Sequence, residues 1–140
     1  MRIALLLAAL GVLQASSALA QSAPLACNGD IAVVRVSAIK PGAMPGFLAA
    51  VAAHNAWYRS HGFNGNAIFV SRVILADPKT GAMKYSDTEV VTYHVRPPSG
   101  KETAGKRDAA WSAYVKQYQD TSEIRSSYVT CMPKFAPQSR

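Results

Sequence analysis

Two cysteines constrain the fold of this chain more than any other feature, because they lie near its opposite ends. Cys27 and Cys131 are the only cysteines among 140 residues. In an oxidising compartment a lone pair of this kind is most simply a disulfide. The alternative, a redox or nucleophilic thiol, favours a C-x-x-C spacing or an activating base nearby in sequence, and neither is present. We therefore expect a covalent link that joins the two ends of the folded domain.

The first twenty residues indicate how the chain would reach such a compartment. Arg2 provides a positive n-region, an apolar stretch follows over residues 3–13, and residues 18–20 are the small residues that signal peptidase recognises. A membrane anchor needs about 20 apolar residues, and polar residues from Gln14 onward interrupt the stretch. We therefore expect a signal peptide over residues 1–20 and a periplasmic or secreted protein without a membrane span.

The remainder fits one small domain with a basic surface. We assign residues 21–29 to a leader, residues 30–133 to a single α+β domain and residues 134–140 to a flexible tail. The formal net charge of the whole chain is +7 at pH 7. Export, and the lack of a Lys/Arg run interleaved with aromatic residues, argue against a nucleic-acid partner. The charge suits an anionic surface or a small anionic ligand, or is simply a solvated basic surface.

The hydrophobic pattern predicts the element order β-α-β-β-α-β. The predicted strands cover residues 31–39, 67–75, 88–96 and 126–132, and the predicted helices cover residues 44–60 and 106–119. Turn-forming residues around Asp77 join the second and third strands into a hairpin with a long tip. This order predicts a ferredoxin-like α+β fold, with a four-stranded antiparallel sheet and two helices on one face. In that fold the last strand lies antiparallel beside the first, which brings the two cysteines together.

A short turn and the helix after it carry a family resemblance. A strand ending in Ile39-Lys40-Pro41-Gly42, followed by a helix containing Phe47-Leu48-Ala49-Ala50, resembles the opening of dimeric α+β barrel proteins. The resemblance covers about residues 30–132. It implies a homodimer whose two sheets face each other, with helices outside and a cavity beside each sheet. That family includes cofactor-independent monooxygenases, small cyclases and lyases, and haem-degrading enzymes, whose Asn-Trp-His arrangement is not matched here.

The densest group of polar and aromatic side chains lies at the end of the first predicted helix. His54 and Tyr58 are four residues apart and share a helix face. An imidazole beside a phenol in a cavity can transfer a proton, so both are catalytic candidates, with Trp57 and His61 as ligand-binding candidates. Alternatively, Tyr58 packs in the core and His54 is hydrogen-bonded at its edge. No metal is expected, because His54 and His61 lie about 10 Å apart along the helix axis.

The third predicted strand offers a second group of candidates. Thr92, His94 and Arg96 alternate onto one face of this strand. We expect Arg35 of the first strand near His94 on the face away from the helices, joined by Arg72 if its register allows. Arginines around a histidine would form an anion site. His94 is thus a third catalytic candidate and the three arginines are ligand-binding candidates. The alternatives are a dimer interface or a solvated outer face.

These observations lead to two functional hypotheses. The first is a periplasmic, dimeric protein that holds a small aromatic or anionic molecule in a cavity lined by the first helix. If it is an enzyme, we expect cofactor-free proton transfer or oxygenation, as in an oxygenase, cyclase or lyase. The second is a non-catalytic interaction or structural protein of the cell envelope, in which the aromatic residues form the core. A pocket with an imidazole pointing into it would favour the first hypothesis.

Overall fold

A computed structural model of the protein describes residues 26–133, which form four strands and three helices. In chain order these are β1 (Asp30–Ile39), α1 (Met44–Ser60), β2 (Ala67–Ala76), β3 (Met83–Val95), α2 (Gly100–Ala104), α3 (Ala109–Thr121) and β4 (Ser122–Met132). The predicted signal peptide, residues 21–25 of the predicted leader and the predicted C-terminal tail lie outside the described residues. No helix within residues 26–133 has the length and apolarity that crossing a membrane requires.

The strands form one antiparallel sheet in the order β2-β3-β1-β4. This is the ferredoxin-like arrangement that the sequence pattern predicts, so the predicted fold class is confirmed. Pairing of β1 with β4 places Ile31 opposite Cys131. The predicted disulfide between Cys27 and Cys131 is present, with 5.6 Å between the two Cα atoms. Closing a loop of this length stabilises a domain by roughly 4–5 kcal/mol in the chain-entropy estimate.

Helix α1 has the bounds that the sequence predicts, because both of its ends carry strong local signals. Pro45 lies in its first turn, where a missing N–H is tolerated. Gly62 follows the helix with φ 83°, a left-handed conformation that glycine adopts at little cost. Its inward face is formed by Met44, Phe47, Ala50, Val51, His54, Trp57 and Tyr58. The three candidate residues within this helix, His54, Trp57 and Tyr58, are therefore buried, and His61 directly follows its end.

Two predicted segments differ from the structure. The predicted helix over residues 106–119 corresponds to α3, which covers Ala109–Thr121, and a short helix that was not predicted, α2, precedes it. Ser99 caps α2 by accepting the Glu102 N–H, while the Glu102 carboxylate accepts the Ser99 N–H. Asp108 caps α3 by accepting the Trp111 N–H. The capping box of α2 and the single cap of α3 each fix a separate helix start, which the apolar periodicity alone does not reveal.

The β2–β3 hairpin is the second difference. Strand β3 begins at Met83 rather than at residue 88, so the predicted long tip is wrong and the turn is short. Asp77 closes this turn, since its carboxylate accepts the backbone N–H groups of Lys79 and Thr80. Side chains near the tip, such as Tyr85, are largely exposed. This part of the strand therefore needs no alternation of apolar and polar residues, which is the signal used to predict strands.

The two faces of the sheet differ in chemistry. On the side covered by helices, β1 presents Arg35, and β3 presents His94. The expectation that these two residues lie on the face away from the helices is therefore wrong. Successive residues of β1 face opposite sides of the sheet, and the more apolar set, which includes Val34, faces away from the helices. There Val34 lies in a row across the sheet with Phe69 and Tyr128, which are both 58% exposed.

Candidate functional site

A cavity of about 620 Å³ lies between the sheet and the helices. The sheet contributes side chains from β1 and β3, and α1 and α3 contribute aromatic side chains from the opposite side. The residues that matter for its chemistry are Arg35, His54, Tyr58, His94, Arg107, Trp111, Tyr114 and Tyr118. This volume lies within the range typical of pockets for small organic molecules. The disulfide-linked ends of the domain are not part of its lining.

His54 lies within a stack of aromatic rings. The rings of Tyr58 and Tyr114 are nearly parallel to its imidazole, with centroids 4.6 Å and 4.3 Å away. Its Nδ1 atom is 3.4 Å from the hydroxyl oxygen of Tyr118, and its Nε2 atom is buried without a partner among residues 26–133. Burial, assisted by His94 and Arg35, lowers the pKa of His54 to about 3. The imidazole is therefore neutral at pH 7.

His94 reaches the same group of rings from β3. Its ring meets that of His54 edge-on, with centroids 5.5 Å apart. The Nδ2 atom of Asn66 lies 3.1 Å from Nε2 of His94, so the amide donates to Nε2 and the imidazole proton sits on Nδ1. Burial, assisted by the charge of Arg35, lowers the pKa of His94 to about 4. The cavity thus contains two neutral imidazoles in contact.

The tyrosines beside these imidazoles keep their protons. Burial raises the pKa of Tyr58 to about 12, although Arg35 and Arg107 act in the opposite direction. Burial also raises the pKa of Tyr114 and of Tyr118. The hydroxyl of Tyr114 is buried and has no hydrogen-bond partner in the described part of the chain. Leaving such a group unpaired costs about 1–3 kcal/mol, so a polar ligand group that reaches it is favoured.

The cavity has positive charges and no opposing acid. Arg35 and Arg107 line it, whereas none of the described lining residues is Asp or Glu. Within residues 26–133, no three potential metal-ligating side chains converge at this site or elsewhere. The arrangement combines neutral hydrogen-bonding groups, flat aromatic surfaces and two guanidinium groups. Such a site can bind a planar, polar organic molecule and bias it towards negative charge.

Trp57 and His61 do not line this cavity, although the sequence groups them with His54. Trp57 is 3% exposed, and its Nε1–H donates to Oδ1 of Asp108 at 2.9 Å. The His61 ring stacks on that of Trp57, with centroids 4.2 Å apart, and its Nε2 is 3.5 Å from Oδ2 of Asp108. We call these three residues the helix tie, because they join the end of α1 to the start of α3. Their placement is structural rather than ligand-facing.

Arg72 and Arg96 also lie away from the cavity. Arg72 donates to the Ser86 carbonyl at 3.0 Å and lies 3.6 Å from Oδ1 of Asp87, within the hairpin. Arg96 directly follows β3 with φ 51°, so the strand alternation ends there. Its Nε lies 3.8 Å from Oδ1 of Asp30, beside a second pocket on the outer face of the sheet. The structure therefore brings only Arg35, of the three predicted arginines, to His94.

Four cavity residues escaped prediction as site residues. Trp111, Tyr114 and Tyr118 form an apolar stripe within the predicted helix over residues 106–119 and, like Arg107, were not named as candidates. The signal available in the sequence is the composition of that stripe. It consists of large aromatic side chains, two with hydroxyl groups, at spacings of three and four residues, with an arginine one turn earlier. Such a stripe can line a cavity as readily as it can fill a core.

Comparison with known proteins gives likenesses of fold alone. No protein-family model matches the chain, and no curated protein sequence is significantly similar to it. Among solved structures, SnoaB, a cofactor-independent oxygenase from Streptomyces nogalater, aligns with a TM-score of 0.45 and 13% identity, over 79% of this chain and 99% of that chain. A nipsnap family protein of unknown function from Agrobacterium tumefaciens aligns with a TM-score of 0.45 and 17% identity, over 79% and 95%. Both alignments have TM-scores below 0.5 and identities below 20%, so they carry no conclusion about family or activity.

Proposed function

We propose that this chain is an exported, dimeric protein that binds a small hydroxylated aromatic molecule in the cavity between sheet and helices. The observation that carries the proposal is His54, a buried, neutral imidazole with an unpartnered nitrogen in the cavity wall. A neutral imidazole offers both a donor and an acceptor. The surrounding tyrosine rings favour a flat aromatic ligand. A solid core, which the structural-protein alternative requires, would leave no such cavity.

The pair of His54 and Tyr118 suggests how a ligand hydroxyl would be recognised. Tyr118 is half-buried and lines the cavity, with its hydroxyl oxygen 3.4 Å from Nδ1 of His54. In the tautomer that leaves Nδ1 unprotonated, Tyr118 donates its O–H to this nitrogen. Its oxygen then accepts the hydroxyl proton of the ligand. A proton leaving the ligand moves to the Tyr118 oxygen while the Tyr118 proton moves to His54. The resulting negative charge on the ligand oxygen lies in a cavity whose charged lining residues are all positive.

This relay limits the chemistry that the site performs. Because the pKa of His54 is about 3, the imidazole is a weak base in the resting site. Proton transfer therefore proceeds only in concert with stabilisation of the anion by the positive charge of the cavity. An aromatic oxyanion is more electron-rich than the neutral molecule, and on a sufficiently activated ring it transfers an electron to molecular oxygen, or rearranges, without a cofactor. Cofactor-independent oxygenation, cyclisation or lyase chemistry is the enzymatic form of the proposal, and His94 is the second candidate base.

Export and dimerisation rest on two other parts of the molecule. The disulfide supports a location outside the reducing cytosol, either periplasmic or secreted. The outer face of the sheet supports association with a second copy of the chain. Phe69 and Tyr128 are more than half exposed there, and their row across the sheet contains no charged residue. Monomeric proteins rarely leave a large apolar face in water.

Calorimetric titration with two matched probes tests the binding proposal. 2-Naphthol should bind roughly five- to tenfold more tightly than 2-methoxynaphthalene, because only the former donates a hydrogen bond. His54→Phe retains a ring between Tyr58 and Tyr114 but removes the nitrogen that orients the Tyr118 hydroxyl, so this preference should largely disappear. His61→Phe makes the same change in the helix tie and should retain it. Equal binding of the two probes by the unmodified protein, or equal loss in both variants, contradicts the proposal.

Native mass spectrometry of the oxidised protein at micromolar concentration tests the dimer. We expect the mass of two chains, and a single-chain mass for Phe69→Glu, because the substitution places a charge in the apolar face. Leu48→Glu is the matched control, since Leu48 is exposed on α1 at the opposite side of the molecule. It should remain dimeric. A single-chain mass for the unmodified protein would show that the sheet face has another role.

A further inference from the structure

The arginines of the sheet region fall into two groups. Three of them are paired with acids: Arg72 with Asp87, Arg96 with Asp30, and Arg125 with Glu123. The fourth, on β1, has no acidic partner within residues 26–133. Its cross-strand neighbours are uncharged, since Arg35 lies opposite Thr92 on β3 and Ser127 on β4. Of these four arginines, only Arg35 lines the main cavity, and it is also the one without an acidic partner among the described residues.

Arg107 is the second uncompensated cation of the cavity. Its guanidinium carbon lies 4.8 Å from the centroid of the Trp111 ring, and one guanidinium nitrogen is 3.5 Å from the hydroxyl of Thr103. These contacts restrain the side chain without neutralising it. Trp111 lines the cavity as well, so the charge lies beside an aromatic surface. A cation that is held in place in advance loses little conformational entropy when it binds an anion.

The two guanidinium groups act on the same part of the cavity. Both charges oppose the effect of burial on the pKa of Tyr58, a residue of α1 whose ring centroid lies 5.2 Å from that of His94 on β3. Both side chains line the cavity that contains the neutral imidazole of His54. An anion placed between them meets two positive charges, and no acid among the described lining residues competes for them.

We infer that the ligand is a hydroxylated aromatic acid, whose anionic group pairs with Arg35 and Arg107. This inference rests on the proposed function and adds a second recognition point to it. The hydroxyl is recognised at Tyr118 and His54, and the acid group at the two arginines, so the ring lies between them against Trp111 and the tyrosines. Guanidinium and carboxylate form charge-assisted hydrogen bonds, which are about twice as strong as neutral ones.

A titration of 6-hydroxy-2-naphthoate against its methyl ester tests the inference, because the two probes share a ring and a hydroxyl and differ in charge. At low salt the acid should bind about tenfold more tightly than the ester, and added sodium chloride should weaken the acid alone. Arg35→Gln and Arg107→Gln should each remove most of this preference. Arg59→Gln is the matched control, since Arg59 is exposed on α1 and its loss changes the net charge equally. It should bind both probes as the unmodified protein does.

The possible results separate this inference from the function on which it rests. Equal affinity for acid and ester overturns the inference, while a preference for 2-naphthol over 2-methoxynaphthalene would still support the proposed function. A loss in Arg59→Gln as large as that in Arg35→Gln also overturns it, because the overall charge would then explain the preference. If none of the four probes binds, both the function and the inference fail.

Discussion

Helix α1 carries two pairs of aromatic or imidazole side chains that differ in how completely their polar atoms are satisfied. In the helix tie, the indole nitrogen of Trp57 and the ring of His61 both meet the carboxylate of Asp108. In the cavity, His54 stacks on Tyr58 with no acid beside it, and its Nε2 is unpartnered within the described chain. The pairs begin only three residues apart. Each has the four-residue spacing that stacks side chains along a helix.

The difference shows which observation separates a structural histidine from a candidate functional one. A polar group whose partners come from the fold itself stabilises that fold. A buried polar group without a partner reduces stability, and it persists where another role maintains it. Spacing along the helix is the same in both pairs and therefore uninformative. The position of one carboxylate, Asp108 at the start of α3, makes the distinction.

The largest effect that would test this comparison is a loss of stability on mild acidification. The pKa values of His54 and His94 are lowered in the folded protein, so below pH 6.5 the unfolded chain binds more protons than the folded one. Stability therefore falls as the pH falls, until the folded imidazoles themselves protonate near pH 4 and pH 3. Between pH 6.5 and pH 5 the free energy of unfolding should decrease by about 3 kcal/mol for the two residues together.

Urea unfolding at several pH values measures this loss, and His54→Phe provides the control. The variant has one fewer buried imidazole, so its loss over the same pH range should be about half as large. Carboxylates such as Asp108, whose pKa is lowered mainly by the hydrogen bond from the Trp111 N–H, titrate below this range. A stability that does not change between pH 6.5 and pH 5 would mean that the imidazoles are not held neutral by the cavity.

Strand order and the long-range link could be predicted, because each has a strong local signal. The β-branched alternation of β1 and the positions of Cys27 and Cys131 lead to the same topology, and Pro45 and Gly62 mark both ends of α1. The start of β3 was missed because its first residues lie in a hairpin arm that pairs only with β2. Exposed strand residues leave no apolar alternation to detect.

The site could be predicted only in part, because its assembly depends on how whole elements pack. The sequence identifies His54, Tyr58, His94 and Arg35 as candidates, and the structure brings these four to one cavity. Strand alternation shows which residues share a face, but not which face the helices cover, so the side was assigned wrongly. The separation of His61 from His54 depends on where α3 begins. Asp108 caps that start locally, but its contact with Trp57 is tertiary, and periodicity does not report such a contact.

A smaller effect distinguishes the two tryptophans of the chain. Trp57 belongs to the helix tie, and Trp111 lies at the cavity wall beneath Arg107. Trp57→Phe removes a buried hydrogen bond and part of a buried ring, so unfolding should become easier by about 1–2 kcal/mol. Binding of 2-naphthol should change little. Trp111→Phe should affect stability less, because this side chain is only partly buried, yet weaken 2-naphthol binding more.

Urea unfolding and calorimetry on the same two variants compare these effects directly. We expect residues of the helix tie to affect mainly the free energy of unfolding, and residues of the cavity wall to affect mainly ligand binding. If Trp57→Phe weakened 2-naphthol binding as much as Trp111→Phe did, the tie would be positioning the cavity wall through Asp108 and α3. The two ends of the inward face of α1 would then form a single functional unit, and the division drawn from their hydrogen-bond partners would be wrong.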